Sequence, residues 1–403
     1  MDNVTHTLIG ITFSKVLVSG KKQISGPEKQ ALFWTAVFGN NLPDIDSVWT
    51  FFRRNVDGNL SYLLEHRGYT HTLLGALPMG LLAAGIGCWI ARIKLTRHFL
   101  ISVVLCGFLS VLLHIGADTL NDYGVHPLSP FFNRWYYGDS VFILEPFLWM
   151  TMIPLTVASI QWKPGRWIWS MLGLGLLGVL WTSHFTPIFT AAAATVWGLS
   201  FSFMEKRKWG FGPVLVGLFL LIFGFSYSSH QAKMMIRNHF DRNVHGEILQ
   251  EVITTPAPGN PFCWNAWLVT QSPNEFISKN VIVSLWPAHV DPVNCYPNRG
   301  NLRTAPLSPA SNESSAALQW LGDYHLSRRT FQDWSWKNSC FRAFLAFSRL
   351  PFLAEVEGHW IAGDLRYDRG KGKGFAQVDL EREKECALLH PKWDPPFLRS
   401  ISR

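Results

Sequence analysis

The strongest constraint on this chain is a succession of apolar runs between Leu73 and Tyr227, several about as long as a bilayer-crossing helix, roughly 17–25 residues. They are Leu73–Ile90, Phe99–Gly116, Val141–Ile160, Trp167–Thr182, Pro187–Phe203 and Gly210–Tyr227. In lipid every backbone N–H and C=O must be bonded inside the protein, so runs of this kind predict helices. Charged residues make up 16% of the chain, well under the roughly 25% of soluble domains. The expected class is therefore a polytopic α-helical membrane protein. Trp149, Trp162, Trp167, Trp181 and Trp209 fall near run ends, where an indole sits well at the membrane–water boundary.

Two half-length apolar segments, Val4–Val18 and Ala31–Gly39, precede these runs and flank a basic turn. The first reads equally as a partly buried helix or a short membrane-inserted one, and the pair could enter the membrane and return where other helices enclose their backbones. Asp2 and His6 stand where a cleavable signal would carry a basic n-region, so a signal peptide is not expected. The basic connections 91–98, 161–166 and 205–209 alternate with connections poor in Lys and Arg. By the positive-inside rule the basic set faces the cytoplasm. Segments 40–72 and 117–140, the turn at His184 and everything after Tyr227 then face outward, into the periplasm if the cell is Gram-negative. This topology also accounts for much of the net charge of +8. No aromatic-basic module points to nucleic acid, and none is expected as a partner.

From Ser228 the pattern changes. Glu247–Thr254, Trp264–Thr270 and Lys279–Trp286 mix β-branched, apolar and polar residues between turn signals, which predicts strands. Ser308–Ser315 reads as an exposed loop, Phe341–Phe352 as a short helix, and His359–Tyr367 with Gly374–Leu380 as strands around a KGKG turn. The expected division is a helical membrane domain over residues 1–229 and an outward-facing, mainly β or α+β extramembrane domain over 230–403. Cys263, Cys295, Cys340 and Cys386 all lie in the second part, permitting one or two disulfides in an oxidising compartment. They form no CxxC pair, which argues against a cysteine-bound structural zinc.

The chemistry concentrates in Asn40–His71, where Asp44 and Asp46 stand two residues apart and His66 and His71 flank Gly68. Two close carboxylates repel unless a cation, a proton or a basic group intervenes. Pro43 limits helical continuation, so the aspartates should project from a break in structure. His114 and Asp118, four apart at the end of an apolar run, share one helix face about 6 Å of rise apart. Lipid exposure would be costly, so both should point into the bundle or its aqueous mouth. Carboxylate and imidazole are usual ligands of zinc, manganese or iron. The set exceeds what one tetrahedral ion needs, which suggests two ions or one ion with catalytic and orienting residues. His6 joins as a candidate from the first segment. Glu65 is a candidate general base or a partner that orients His66; Arg67 and Arg134 offer forks for an anionic group; His126 is a candidate substrate contact.

The stretches THTLIG at Thr5–Gly10, NLPDIDS at Asn41–Ser47, EHRGYTHTLLG at Glu65–Gly75 and HIGADTLNDYGVHPLSPF at His114–Phe131 together resemble the family of bacterial membrane-bound metal-dependent hydrolases, also described as LexA-binding inner-membrane-associated hydrolases. The resemblance covers roughly residues 1–230. It implies His6, Asp44, Asp46, His66, His71, His114 and Asp118 as the polar set, metal-activated water as nucleophile, and an address in the bacterial inner membrane. The expected cofactor is a divalent metal, zinc first, with manganese or magnesium as alternatives. Glu65 and Asp118 are the expected catalytic residues, and a lipid-linked phosphoester or other membrane lipid is the favoured substrate class. A LexA-type partner, suggested by the family description, would have to meet a cytoplasmic loop. An ion-coupled transporter and a non-enzymatic membrane interaction protein remain alternative readings of intramembrane His and Asp.

Overall fold

The computed structural model describes all residues except 20–23, 58, 183–185, 296–302, 369, 371–373, 382–385, 387–392 and 402–403. The expected turn at His184 and most of the KGKG turn lie outside the described residues. The chain opens with α1 (Asn3–Val18) and α2 (Gly26–Gly39). The first is capped by the Asp2 carboxylate and the second by a reciprocal Ser25–Glu28 capping box. A 3₁₀ turn at Leu42–Ile45 follows, with Pro43 in its first turn. Then come α3 (Asp46–Asp57), α4 (Leu60–Glu65) and a second 3₁₀ turn at Tyr69–His71. The break anticipated at Pro43 is thus present, with Asp44 inside the turn and Asp46 opening α3.

Next are α5 (Leu73–Ala91), α6 (Arg97–Thr119), α7 (Pro146–Ser159), α8 (Lys163–Thr182), α9 (Ile188–Lys206) and α10 (Gly212–Asn243). Among the described residues α5, α6, α9 and α10 are long and apolar enough to cross a membrane. The protein is a polytopic helical membrane protein, with two differences from the six expected runs. The third run is helical only from Pro146, because Glu145 caps the helix through Phe147 N and leaves α7 14 residues long. Helix α8 falls short in apolarity, since it opens on Lys163 and Arg166 and contains several glycines.

Helices α1, α2, α5 and α6 pack as a quartet whose chain directions alternate. The start of α1, the end of α2, the start of α5 and the end of α6 therefore meet at one end. Small residues let these backbones approach, as expected for helices in lipid. A Cβ on Gly107 of α6 would lie 2.1 Å from the Gly80 carbonyl oxygen of α5. The Arg92–Thr96 connection lies at the other end, with Arg92, Lys94 and Arg97 about it.

The extramembrane part begins with an antiparallel meander of β1 (Ile248–Ala257), β2 (Asn260–Gln271), β3 (Glu275–Ser284) and, after α11 (Pro292–Cys295), β4 (Leu318–Ser327). Helices α12 (Arg328–Lys337) and α13 (Ser339–Leu345) lead to a second antiparallel sheet of β5 (Pro351–Val356), β6 (His359–Asp364) and β7 (Gln377–Asp379), followed by α14 (Pro396–Ile401). The expected helix over Phe341–Phe352 stops early. Asp364 Oδ2 accepts from Ser348 Oγ, Arg349 N and Leu350 N at 2.9, 2.9 and 3.3 Å, holding that stretch as a loop before β5. Cys263 pairs with Cys295 and Cys340 with Cys386, the fuller of the two disulfide expectations.

This part is seated on the site end of the quartet. Leu60, Leu63, Leu64, Tyr123 and Trp135 share a core with Phe341, Phe344, Phe347 and Phe352. Trp135 Nε1 donates to the Ala346 carbonyl at 2.7 Å and Trp393 Nε1 to that of Leu64 at 2.6 Å. Asp122, in the loop after α6, accepts from Thr255 Oγ1 and from Tyr367 Oη.

Candidate metal centre

The four helix ends bring Asp44, His71, His114 and Asp118 together, with one ligand atom of each within 4.8 Å of the others. The Nε2 atoms of His71 and His114 face each other at 3.0 Å. Asp44 Oδ1 lies 3.4 and 3.6 Å from them, and Asp118 Oδ2 3.3 and 3.6 Å. Four N and O ligands at about 2.0–2.1 Å around a tetrahedral ion would stand roughly 3.4 Å apart. The observed spacings have that size, so the donor set fits a divalent ion in both chemistry and geometry.

Hydrogen bonds turn both imidazoles inward. His114 Nδ1 donates to the Asn40 carbonyl at the end of α2 (2.8 Å). His71 Nδ1 donates to Thr70 Oγ1 (2.9 Å), which donates in turn to Asp46 Oδ2 (2.7 Å). Each ring thus keeps a proton on Nδ1 and turns Nε2 toward the cluster, the arrangement in which outer partners fix metal-binding histidines. Asp46 also accepts from Arg67 N (3.1 Å), while its Oδ1 meets His66 Nδ1 (2.8 Å). It therefore orients both histidines of the segment. Asp44, Asp46 and His66 form a second group able to hold an ion, sharing Asp44 with the first.

The electrostatics favour positive charge here. Burial alone would lower His71, yet hydrogen bonds with Asp118, Asp44 and Asp46 carry it up to about 10. Burial would raise Asp44 and Asp46, but contacts with His114 and His71 for the first, and His66 and His71 for the second, hold both well below the usual carboxylate range. The field that favours a proton on His71 also favours a metal cation.

The remaining candidates fall at different distances from this centre. His6 stacks on His114 with ring centroids 3.7 Å apart and places Nε2 3.3 Å from Asp118 Oδ1. The Met1 amine also contacts that carboxylate. Arg67, buried and at φ 60°, sets Nε 3.0 Å from Asp118 Oδ2. His126 lies behind it, donating from Nδ1 to the Arg67 carbonyl at 3.2 Å, stacked on Trp393 and tilted against Trp135. Burial lowers His126 to about 3, so it is a neutral prop for the Arg67 loop. Glu65 ends α4 and is not among the residues lining the cavity above the centre. Arg134 is exposed and lines another cavity beside Asp394.

The cavity at the centre has a volume of about 470 Å³ and lies between the two parts of the molecule. Asp44, Tyr62, His66 and Arg67 contribute from one side, and Arg366, Tyr367 and Phe375 from the other. Asn121 and Tyr123 line it as well. Both were legible as part of the stretch following Asp118, but no charge or spacing set them apart there. Thr70 and the Asn40 carbonyl, which orient the imidazoles, carried no separable signal in sequence either.

A polytopic membrane protein with a buried His/Asp cluster capable of coordinating a metal ion is the class that fold and site define. Residues 1–187, which contain every residue of the cluster, match the family described as YdjM inner membrane protein. The chain is also similar to a protein of Bacillus subtilis (strain 168) described as "uncharacterized protein YfhP", at 25% identity over 152 residues, 38% of this chain. That match spans 44% of the relative's own length. No solved structure is significantly similar to the chain.

Proposed function

We propose that the protein is a metal-dependent hydrolase of the bacterial inner membrane, with its site at the outward face and its extramembrane part, residues 230–403, in the periplasm. The observation that carries this reading is the convergence of Asp44, His71, His114 and Asp118 at tetrahedral-edge spacing, with both imidazoles fixed from behind. These four would hold the metal, zinc before manganese or magnesium. When bound, the metal supplies a Lewis acid and a water acidic enough to be deprotonated near neutral pH. Asp46 and Thr70 hold the His71 tautomer, Asn40 holds that of His114, and Arg67 sets a fixed positive charge beside Asp118. His66, facing the cavity from Asp46, is the better placed group to handle a proton at its mouth; Glu65 is set back from it.

The outward address is supported by the basic α5–α6 connection at the end remote from the site and by two disulfides in the part that covers it. The cavity's opening between this covering part and the membrane region supports a membrane lipid or lipid-linked phosphoester as substrate. A LexA-type partner would have to use the opposite face. The test is elemental analysis of protein purified without chelator, together with turnover against ester and phosphoester lipids in nanodiscs. About one or two equivalents of divalent metal and chelator-sensitive hydrolysis are expected; metal-coupled solute flux without turnover would sink the reading in favour of a transporter.

A further inference from the structure

Beside the metal cluster the cavity contains polar atoms that the protein leaves unused. Asn121 Oδ1 accepts from Arg67 Nη1 and from Tyr123 N, both at 3.0 Å, and the Arg67 guanidinium lies 4.8 Å from the centre of the Tyr123 ring. The three side chains thus form one bonded unit. All three line the cavity and each is more than nine-tenths buried. Yet Asn121 Nδ2 and Tyr123 Oη have no hydrogen-bond partner among the described residues. A buried polar group left unpaired costs about 1–3 kcal/mol, so its persistence at the wall of a cavity needs an explanation.

The chemistry of these atoms specifies their ligand. The amide nitrogen of Asn121 and the guanidinium of Arg67 can only donate, and the Tyr123 hydroxyl can donate. An arginine within the set selects for an anionic acceptor. Donors from three separate side chains suit a tetrahedral group with several oxygens better than a flat carboxylate. Around them the wall is apolar and aromatic: Tyr62, Phe142, Ile143, Tyr367 and Phe375, with the Tyr62 and Phe375 rings 6.3 Å apart and those of Tyr367 and Phe375 4.8 Å apart.

We infer that Arg67, Asn121 and Tyr123 form a phosphate cradle next to the metal centre, and that Tyr62 and Phe375 flank the apolar substituent of a phosphate ester, so the substrate is an amphiphile bearing its phosphate at the cluster. This rests on the hydrolase reading for its chemistry but on separate atoms for its binding. The extramembrane part then has a role in selection: it supplies Tyr367 and Phe375, and without it the apolar wall is open.

The test uses the full chain in nanodiscs, with metal content counted for every sample and binding of octyl phosphate, inorganic phosphate and octanoate measured by calorimetry. Octyl phosphate should bind best. Tyr123→Phe should weaken both phosphates about 10-fold. Asn121→Asp retains the oxygen that accepts from Arg67 and Tyr123 but replaces the unused donor with a carboxylate oxygen, so it should weaken both further. Phe375→Ala should weaken octyl phosphate and leave inorganic phosphate alone. Unchanged phosphate binding in Tyr123→Phe and Asn121→Asp, with metal content as in the wild type, would overturn the cradle and leave the metal centre standing. Octanoate binding as tightly as octyl phosphate would overturn phosphate as the class. A wild type without metal, whose phosphate binding is nonetheless lost in both variants, would refute the hydrolase and uphold the cradle.

Discussion

Two of the buried charge clusters among the described residues are built on different principles. At one, Arg349 donates Nη1 to Asp139 Oδ1 (2.7 Å), Nη2 to Asp139 Oδ2 (2.9 Å) and Nε to Glu251 Oε1 (3.0 Å), while Lys233 Nζ gives Asp139 Oδ2 a further bond at 2.9 Å. Each carboxylate there meets a cation, and each cation a carboxylate. At the other, Asp44, His71, His114 and Asp118 turn their ligand atoms toward one point, and two imidazole nitrogens face each other. The first cluster closes on itself and ties the loop after α6, helix α10, β1 and the segment before β5 together. The second is complete only around something else. Burial and charge alone do not separate a structural network from a site; where the lone pairs point does.

That contrast is most sharply tested by exchanging the readouts. Arg349→Met leaves Asp139 buried beside only Lys233, and breaking a buried pair costs about 3–5 kcal/mol. Its metal content should nevertheless match the wild type once the protein is folded. Asp44→Asn should do the opposite: metal affinity falls by more than the roughly 10–100-fold seen for outer partners, while stability measured in chelator drops less than in Arg349→Met. Denaturation in detergent and metal competition on the same two variants decide the matter. If Arg349→Met loses metal while folded, or Asp44→Asn retains wild-type affinity, the distinction fails.

The distinction was only half visible in the amino-acid order. Asp44, Asp46, His66, His71, His114 and Asp118 were legible because carboxylate and imidazole at the ends of apolar runs are costly unless used, and the i,i+4 spacing of His114 and Asp118 fixed their common face. The helix ends themselves were legible where a cap and a long apolar run coincide, as for α5. What was not legible was the division of labour. Asp44 and Asp46 are equivalent two residues apart, and only the 3₁₀ turn at Leu42–Ile45 sends one to the cluster and the other behind His71. Arg134 and Arg67 looked alike as anion forks, yet the fold buries one against Asp118 and leaves the other exposed near Asp394. Strand β4 and helices α12 and α14 were missed because their residues alternate weakly and their caps lie in mixed-polarity sequence, where tertiary packing decides. The charge partners of Asp139 lie 94 and 210 residues away, and Glu251 lies 98 residues from Arg349, so no local pattern could reveal them.

A smaller effect sharpens the assignment of Asp46 as an orienting group. Asp46→Asn retains an oxygen for Thr70 but removes the charge that holds the His71 and His66 rings. Metal affinity should fall about 10–100-fold, less than for Asp44→Asn, and Thr70→Val should shift it in the same direction. Equal losses for Asp44→Asn and Asp46→Asn would mean that Asp46 binds the ion directly, which favours the two-ion arrangement built on Asp44, Asp46 and His66.

The smallest effect concerns a buried acid that belongs to neither cluster. Glu145, which precedes α7, is wholly buried and accepts from Phe147 N through Oε1 and from Gly259 N through Oε2, both at 3.2 Å, joining the helix entrance to the β1–β2 turn. Burial pushes its carboxyl up to about 8 from an ordinary 4.5, and the two backbone N–H groups only partly offset that rise. The unfolded chain releases this proton near its ordinary value, whereas the folded chain keeps it until about pH 8. Between those values the folded state binds more protons, so the contribution to stability is full below the ordinary value and is lost as pH rises through the folded one. The slope from one such group is at most about 1.4 kcal/mol per pH unit. Glu145→Gln pays a constant cost, because an amide offers one acceptor where the carboxyl offered two, but it removes the slope. Melting curves of wild type and Glu145→Gln from pH 5 to 9, both in chelator so that metal linkage drops out, should therefore converge as pH rises. Parallel curves would show that Glu145 is ionised in the fold, and that this acid, like those around Arg349, has a counter-charge.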